Sequence, residues 1–234
     1  MKVALITGGT KGIGLGIAKS LIADGIRVAI TGRTQATAQE VAAALTGEPD
    51  MAIGIGCDVR DLQSQEECVS AVLEKWGRID YVIANAGVGH FSSIVDLSPE
   101  QWQETIDVNL TGVYYTIKSS VSALQDSKGY FITIASLAGT NFFARGAAYN
   151  ASKFGLVGFT QAVMLDLRQY GIKTTTIMPG SVATYFNGHV PSEADDWKIQ
   201  PEDIGQIVSD LLKMHPRTLP SKVEVRPTIP GGKK

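Results

Sequence analysis

Seven short runs of apolar, largely β-branched residues punctuate the chain: Val3 to Ile6, Arg27 to Thr31, Met51 to Cys57, Tyr81 to Ala84, Tyr130 to Ile134, Lys173 to Met178 and Lys222 to Val225. The segments between them repeat their apolar positions at helical spacing, beginning with the helix around Leu15 to Ala23. Parallel strands covered on both faces read as continuous apolar runs, and their interleaving with helices predicts a doubly wound α/β fold: seven parallel strands with helices on both faces of the sheet. No Pro/Gly/Ser linker and no internal repeat divides the sequence, so a single domain over residues 1–234 is the economical reading.

The polar and glycine positions at the ends of these runs carry the candidate chemistry. Directly after the first strand comes Thr7-Gly8-Gly9-Thr10-Lys11-Gly12-Ile13-Gly14, spaced G-x-x-x-G-x-G rather than G-x-G-x-x-G. Glycines let a backbone turn sharply and approach a pyrophosphate, whose charge the following helix N-terminus meets. About twenty residues beyond Gly12, where a carboxylate would bind a free ribose 2′-hydroxyl, the chain has Gly32 and then Arg33. With Lys11 nearby, two cations would face a 2′-phosphate, which points to NADP rather than NAD; the competing reading makes Arg33 the solvated start of a helix. Asp58-Val59 closes the third strand, where Asp58 would either receive an adenine amino group or cap the helix beginning near Asp61. Ala84-Asn85-Ala86-Gly87 ends the fourth strand in small residues that would let a cofactor lie flat, or would simply serve a turn.

Ser98-Pro99 announces a helix whose continuation carries Asn109 among apolar neighbours, where a buried amide needs a partner. The fifth strand delivers Ser136 to the carboxyl edge of the sheet, where open α/β sheets bind ligands. Tyr149 and Lys153 stand four apart in a helix-forming stretch and so share a face. A phenol has a pKa of about 10, and a neighbouring cation is expected to lower it enough for proton exchange near neutrality.

Composition narrows the classes. Among 234 residues, 44% are hydrophobic and the formal net charge is −2, which gives no reason to expect nucleic acid or an acidic membrane as partner. Cys57 and Cys68 lack the spacing of a zinc site or a disulfide framework, so no metal is expected and a reducing, cytoplasmic setting fits. No signal peptide and no run long enough to span a bilayer is evident.

Taken together, Thr7 to Gly14, Asn85-Ala86-Gly87, Asn109, Ser136, Tyr149-x-x-x-Lys153 and Pro179-Gly180-Ser181-Val182-Ala183-Thr184 occur in the order and spacing of the short-chain dehydrogenase/reductase family, whose single-domain branch this chain resembles over nearly its whole length. The resemblance implies a Rossmann fold and an NADP(H)-dependent oxidoreductase acting on a small carbonyl or secondary alcohol (a ketone, 3-oxoacyl or 3-hydroxy acid type). It makes Tyr149 the proton donor and acceptor, Lys153 the residue that holds the nicotinamide ribose, Ser136 the hydroxyl that orients the substrate oxygen, and Asn109 the anchor of a water linking Lys153 to solvent. Gly8, Thr10, Lys11, Gly12, Ile13 and Gly14 match the cofactor loop, and Asp58 and Val59 the adenine contacts. Asn85, Ala86 and Gly87, then Pro179, Gly180, Val182 and Thr184, match further cofactor-binding positions, with Thr184 at the nicotinamide carboxamide. A non-catalytic NADP sensor of the same fold is the alternative.

Two departures stand out: Ala84 replaces the first Asn of the family's Asn-Asn-Ala-Gly, and the tail (227–234) lacks the usual Asp-Gly-Gly. Residues 185–200, polar and irregular, read as a substrate lid or as a plain connection. Phe91, Phe142 and Phe143 are candidates for the pocket wall or the core, and none of His90, His189 and His215 is expected to be catalytic. By analogy with the family, a homodimer or homotetramer would pair the helices of 100–126 and 147–170.

Overall fold

The order of the strands across the sheet decides where the site falls. A computed structural model, describing residues 1–48 and 50–229, contains one seven-stranded parallel sheet. Its strands are β1 (Val3–Ile6), β2 (Arg27–Gly32), β3 (Ala52–Gly56), β4 (Tyr81–Ala84), β5 (Tyr130–Ile134), β6 (Lys173–Pro179) and β7 (Lys222–Val225). They lie in the order β3-β2-β1-β4-β5-β6-β7, so the chain reverses direction of growth between β1 and β4. That reversal opens a crevice at the carboxyl ends of the strands.

Every residue of β1 and β5 is buried, as a strand covered on both faces must be. Edge strand β7 instead alternates exposed Lys222 and Glu224 with half-buried Val223 and Val225. One face of the sheet packs Leu5, Val82, Phe131 and Met178 against α3 (Leu62–Trp76), α5 (Gly112–Ser127) and α6 (Ala147–Leu167). The other packs Ile6, Ile30, Ile83, Ile132 and Ile177 against α1 (Gly12–Ala23), α2 (Gln35–Leu45) and α7 (Pro201–Lys213). Burying apolar surface on both faces supplies the main driving force, at roughly 25 cal/mol per Å².

Local capping agrees with the sequence in most places. Ser98 and Gln101 form a reciprocal capping box at the start of α4 (Pro99–Ile106), with Pro99 in the first turn. Asp61, not Asp58, caps α3, its carboxylate accepting from the Gln63 N–H at 3.0 Å. The first helix begins three residues earlier than its apolar spacing predicts, at Gly12. The segment after α4 is not a continuous α-helix either: Asp107–Thr111 is a π-helical turn. One extra residue in such a turn re-aims the side chains that follow, and turns of this kind gather at functional sites. The tail described in the sequence as 227–234 lies outside the described residues from 230 onward.

Candidate active site

The cofactor half of the crevice is built largely from backbone. Gly8 and Gly12 hold left-handed φ values of 65° and 55°, which only glycine adopts without strain. A Cβ on Gly8 would also stand 2.9 Å from the Ala86 backbone, so the β1 turn and the end of β4 approach as closely as atoms allow. Asn85 fastens the two together: its amide donates to the carbonyls of Thr7 (2.9 Å) and Gly8 (3.0 Å), while the Thr7 hydroxyl accepts the Asn85 and Ala86 N–H groups. Asn85 is thus a brace for the turn. Lys11, the residue before α1, is extended and gives no side-chain cap, so the first amides of the helix, at Gly12, Ile13 and Gly14, face the crevice with their positive dipole end. Gly32 has no side chain because the Thr10 methyl would lie 2.7 Å from its Cβ.

Arg33 and Lys11 are exposed at this rim. Asp58 is held below its usual carboxylate range, mainly by the Arg60 guanidinium at 2.6 Å and to a smaller degree by Arg33. Its two oxygens therefore already receive Arg60, whichever adenine contact they also make. Val59 is buried and its carbonyl accepts from Gln65 at 2.7 Å.

The opposite half is built from side chains. Ser136 follows β5 and opens the short 3-10 turn Leu137–Gly139, where its hydroxyl accepts the Ala138 N–H at 3.1 Å and points toward the Pro179 carbonyl at 3.5 Å. Tyr149 and Lys153 lie on the first turns of α6, with the ammonium 5.7 Å from the centre of the phenol ring. Burial pushes the Tyr149 phenol above its ordinary value, and the Ser136 hydroxyl beside it offsets part of that rise. Lys153, only 4% exposed, donates to the Ile134 carbonyl at 3.1 Å and is drawn down to about 8 by desolvation. The expected lowering of the phenol by its neighbouring cation is therefore not what these residues produce: burial raises the phenol, and the lysine is the group whose pKa falls.

Asn109 is fully buried in the π-helical turn. Its side chain accepts from the Val88 N–H (2.8 Å) and donates to the Val88 carbonyl (2.9 Å) and the Ser152 hydroxyl (3.0 Å). Both of its N–H groups go to protein partners, which leaves one acceptor position on the amide oxygen. Gly87 lies beside both Asn109 and Lys153, a Cβ there falling 3.4 Å from the Asn109 oxygen and 3.8 Å from the lysine nitrogen. Pro179 ends β6 and Gly180 donates to the Val225 carbonyl at 2.8 Å. Val182 pairs with Ile199, and Thr184 packs 3.3 Å from where a Gly12 Cβ would stand, which carries the β6 segment back onto the glycine turn.

Three contributors escaped the sequence reading. Asn150 donates to the carbonyls of Ala138 (2.7 Å) and Asn141 (2.8 Å), tying the Ser136 turn to α6 and so setting the distance between serine and tyrosine. Ser152 joins Asn109 to the Tyr149 carbonyl, to which it donates at 2.8 Å. Phe186 lies tilted against Tyr149, ring centres 5.7 Å apart. The first two were signalled by polar residues inside an otherwise apolar helix, the third only by its place in residues 185–200. That segment is a loop with 3-10 turns at Phe186–Gly188 and Glu193–Asp195, pinned at its base by the Ala183 to Ile199 hydrogen bond of 2.9 Å. Phe91 and Phe143 join the aromatic group at Tyr149, whereas Phe142 is 86% exposed and faces solvent. His189 is bound to Asp195 at 2.6 Å within the loop and His90 to Glu104 at 2.7 Å.

The fold and rim define a class: a doubly wound α/β protein with a glycine turn on one side of the switch point and a Ser–Tyr–Lys group on the other. The chain belongs to the short chain dehydrogenase family, whose sequence profile matches residues 2–195. A relative described as a putative ketoacyl reductase of Streptomyces coelicolor is 34% identical over 226 residues, spanning 95% of this chain and 87% of its own length. Among solved structures, an alcohol dehydrogenase of Thermococcus sibiricus complexed with 5-hydroxy-NADP superposes with a TM-score of 0.93 at 30% identity over the whole of both chains. A 3-ketoacyl-(acyl-carrier-protein) reductase of Brucella melitensis complexed with NADH reaches 0.88 at 25% identity over 97% of each. No helix among the described residues is long and apolar enough to cross a membrane, and no cluster of three or more His, Cys, Asp or Glu residues among them is placed to hold a metal.

Proposed function

We propose that this chain is an NADP(H)-dependent oxidoreductase that interconverts a carbonyl compound and a secondary alcohol, with Tyr149 as general acid and base. The observation that carries this reading is the convergence of Ser136, Tyr149 and Lys153 on one side of a crevice whose other side is a glycine turn leading into a helix without a side-chain cap. The residues fit a dinucleotide: Gly8 and Gly12 give the backbone the approach a pyrophosphate needs, and the α1 amides meet its charge. Arg33 and Lys11 would receive a 2′-phosphate, a point on which the relatives divide, one being bound to an NADP derivative and another to NADH. When bound, the nicotinamide supplies the hydride.

The chain's own part is positioning and proton transfer. The Ser136 hydroxyl holds the substrate oxygen, and the Tyr149 phenol delivers its proton to that oxygen as carbonyl becomes alcohol. A phenol whose pKa is raised by burial remains protonated through neutral pH, which is the form reduction requires. Lys153, anchored on Ile134, binds ribose hydroxyls with the protons it does not donate to that carbonyl. Tyr149→Phe tests the reading: NADPH affinity by fluorescence titration should stay within about twofold, while kcat/KM should fall by about 10² to 10⁴, the usual contribution of a positioned proton donor. Unchanged turnover would refute it.

A further inference from the structure

The walls around Tyr149 say more about the substrate than the catalytic group does. Phe91, on the loop after β4, meets the Tyr149 ring edge to face, with centres 5.3 Å apart and planes at 74°. Phe143, from the loop before α6, meets Phe91 at 5.8 Å and 61°. Phe186, from the 185–200 loop, meets Phe91 at 6.2 Å and Tyr149 at 5.7 Å. Two separate loops therefore bring a ring directly against the Tyr149 phenol, and a third brings Phe143 against Phe91. Gly89 makes room for this arrangement: a Cβ there would stand 2.7 Å from the Phe186 ring and 3.1 Å from the Phe91 ring. Of the polar groups at the border, His90 is engaged with Glu104 at 2.7 Å, while exposed Arg145 donates to the Phe91 carbonyl at 3.3 Å.

Building on the oxidoreductase reading, we infer that the substrate is a ketone carrying an aryl or comparably flat, apolar substituent next to its carbonyl, and that Phe91 and Phe186 determine this preference. Aromatic rings favour edge-on and offset partners at centre distances of about 4.5–7 Å, and the existing pairs already show that spacing around the phenol. A substrate ring entering this group gains the same contacts and loses water from both faces. A short 3-oxo acid gains neither, and its carboxylate would lose water among the rings.

The test compares kcat/KM with NADPH for acetophenone, 2-butanone and acetoacetate, on the wild type and on Phe186→Ala, Phe91→Leu and Gly89→Ala, with thermal melts to confirm folding. The expected result is acetophenone at least about tenfold above acetoacetate, with Phe186→Ala and Phe91→Leu each lowering the acetophenone value by about tenfold, chiefly through KM, and leaving NADPH affinity unchanged. Turnover of all three compounds with acetoacetate equal or preferred would overturn the aromatic assignment while leaving the oxidoreductase reading intact. Absence of turnover with every carbonyl, in a protein that still binds NADPH, would overturn both. Phe186→Ala that raises or leaves unchanged the acetophenone value, in a protein that melts normally, would also sink the inference; Gly89→Ala, which pushes against the Phe186 ring without removing it, should reproduce the KM effect if that ring is the wall.

Discussion

The two sides of the crevice solve different problems with different materials. On the β1–β2 side the chain removes side chains: Gly8, Gly12 and Gly32 permit close backbone approach, and exposed Lys11 and Arg33 supply charge from flexible stems. On the β5–α6 side it adds them: Asn109 bonds Ser152, which bonds the Tyr149 carbonyl, and Asn150 and Ser136 both bond Ala138, two sets of contacts that hold the segment carrying Tyr149 and Lys153. A ligand bound by backbone amides and surface cations tolerates solvent and small adjustments. A proton donor must be held within fractions of an ångström, and in low dielectric every polar atom that holds it needs a partner. The difference accounts for where the pKa values move: Asp58 on the first side is ruled by its ion pair, whereas Tyr149 and Lys153 on the second are ruled by desolvation.

The sharpest way to probe this contrast is through Lys153. Its pKa in the folded chain, about 8, lies below the ordinary 10.5, so between those values the unfolded chain binds more protons than the folded one. Stability contributed by this group therefore rises with pH across that window and is lost on its acid side. Relative to Lys153→Met, the wild type should gain roughly 3 kcal/mol between pH 7 and pH 10.5, or on the order of 5–10 °C in melting temperature. Parallel pH dependences of the two proteins would mean that the lysine is not desolvated, and the contrast would fail. Asn150→Ala comes next. It leaves the Ala138 and Asn141 carbonyls without their partner, at a cost of about 2 kcal/mol in denaturant unfolding. It should also lower kcat more than it raises KM, since the Ser136 turn would lose its tie to α6; a purely structural role would move stability alone.

The smallest effect belongs to the solvent-facing side. Arg33→Asp should shift the ratio of kcat/KM for NADPH over NADH by about tenfold toward NADH, with little change in melting temperature. An unaltered ratio would remove Arg33 from the cofactor site and leave the choice of dinucleotide to other residues.

Much of this was legible along the chain. The five inner strands fall where the apolar runs do because residues covered on both faces leave a continuous signature, and the glycine turn, Ser136 and the Tyr149–Lys153 pair are local patterns in fixed relation to those strands. Asp58 was harder to read, because a carboxylate shortly before a helix is a candidate cap until geometry shows Asp61 in that role. The π-helical turn at Asp107–Thr111 was invisible, since one added residue in a helix leaves the apolar spacing almost unchanged. Among the phenylalanines, sequence offered Phe91, Phe142 and Phe143 alike; only the path of the loops sends Phe142 into solvent and brings Phe186 in from a segment some forty residues away.

The sequence by itself determined the layers, the carboxyl edge of the sheet and the candidates for the reacting side chains, because these depend on spacing within a strand, a helix turn or a single tight loop. The tertiary structure alone decided the direction of the pKa shifts at Tyr149 and Lys153, the bracing by Asn150 and Ser152, and the aromatic enclosure around the phenol. The physical reason is the same in each case: desolvation and ring packing are set by atoms distant along the chain, and no local pattern records how many of them will arrive.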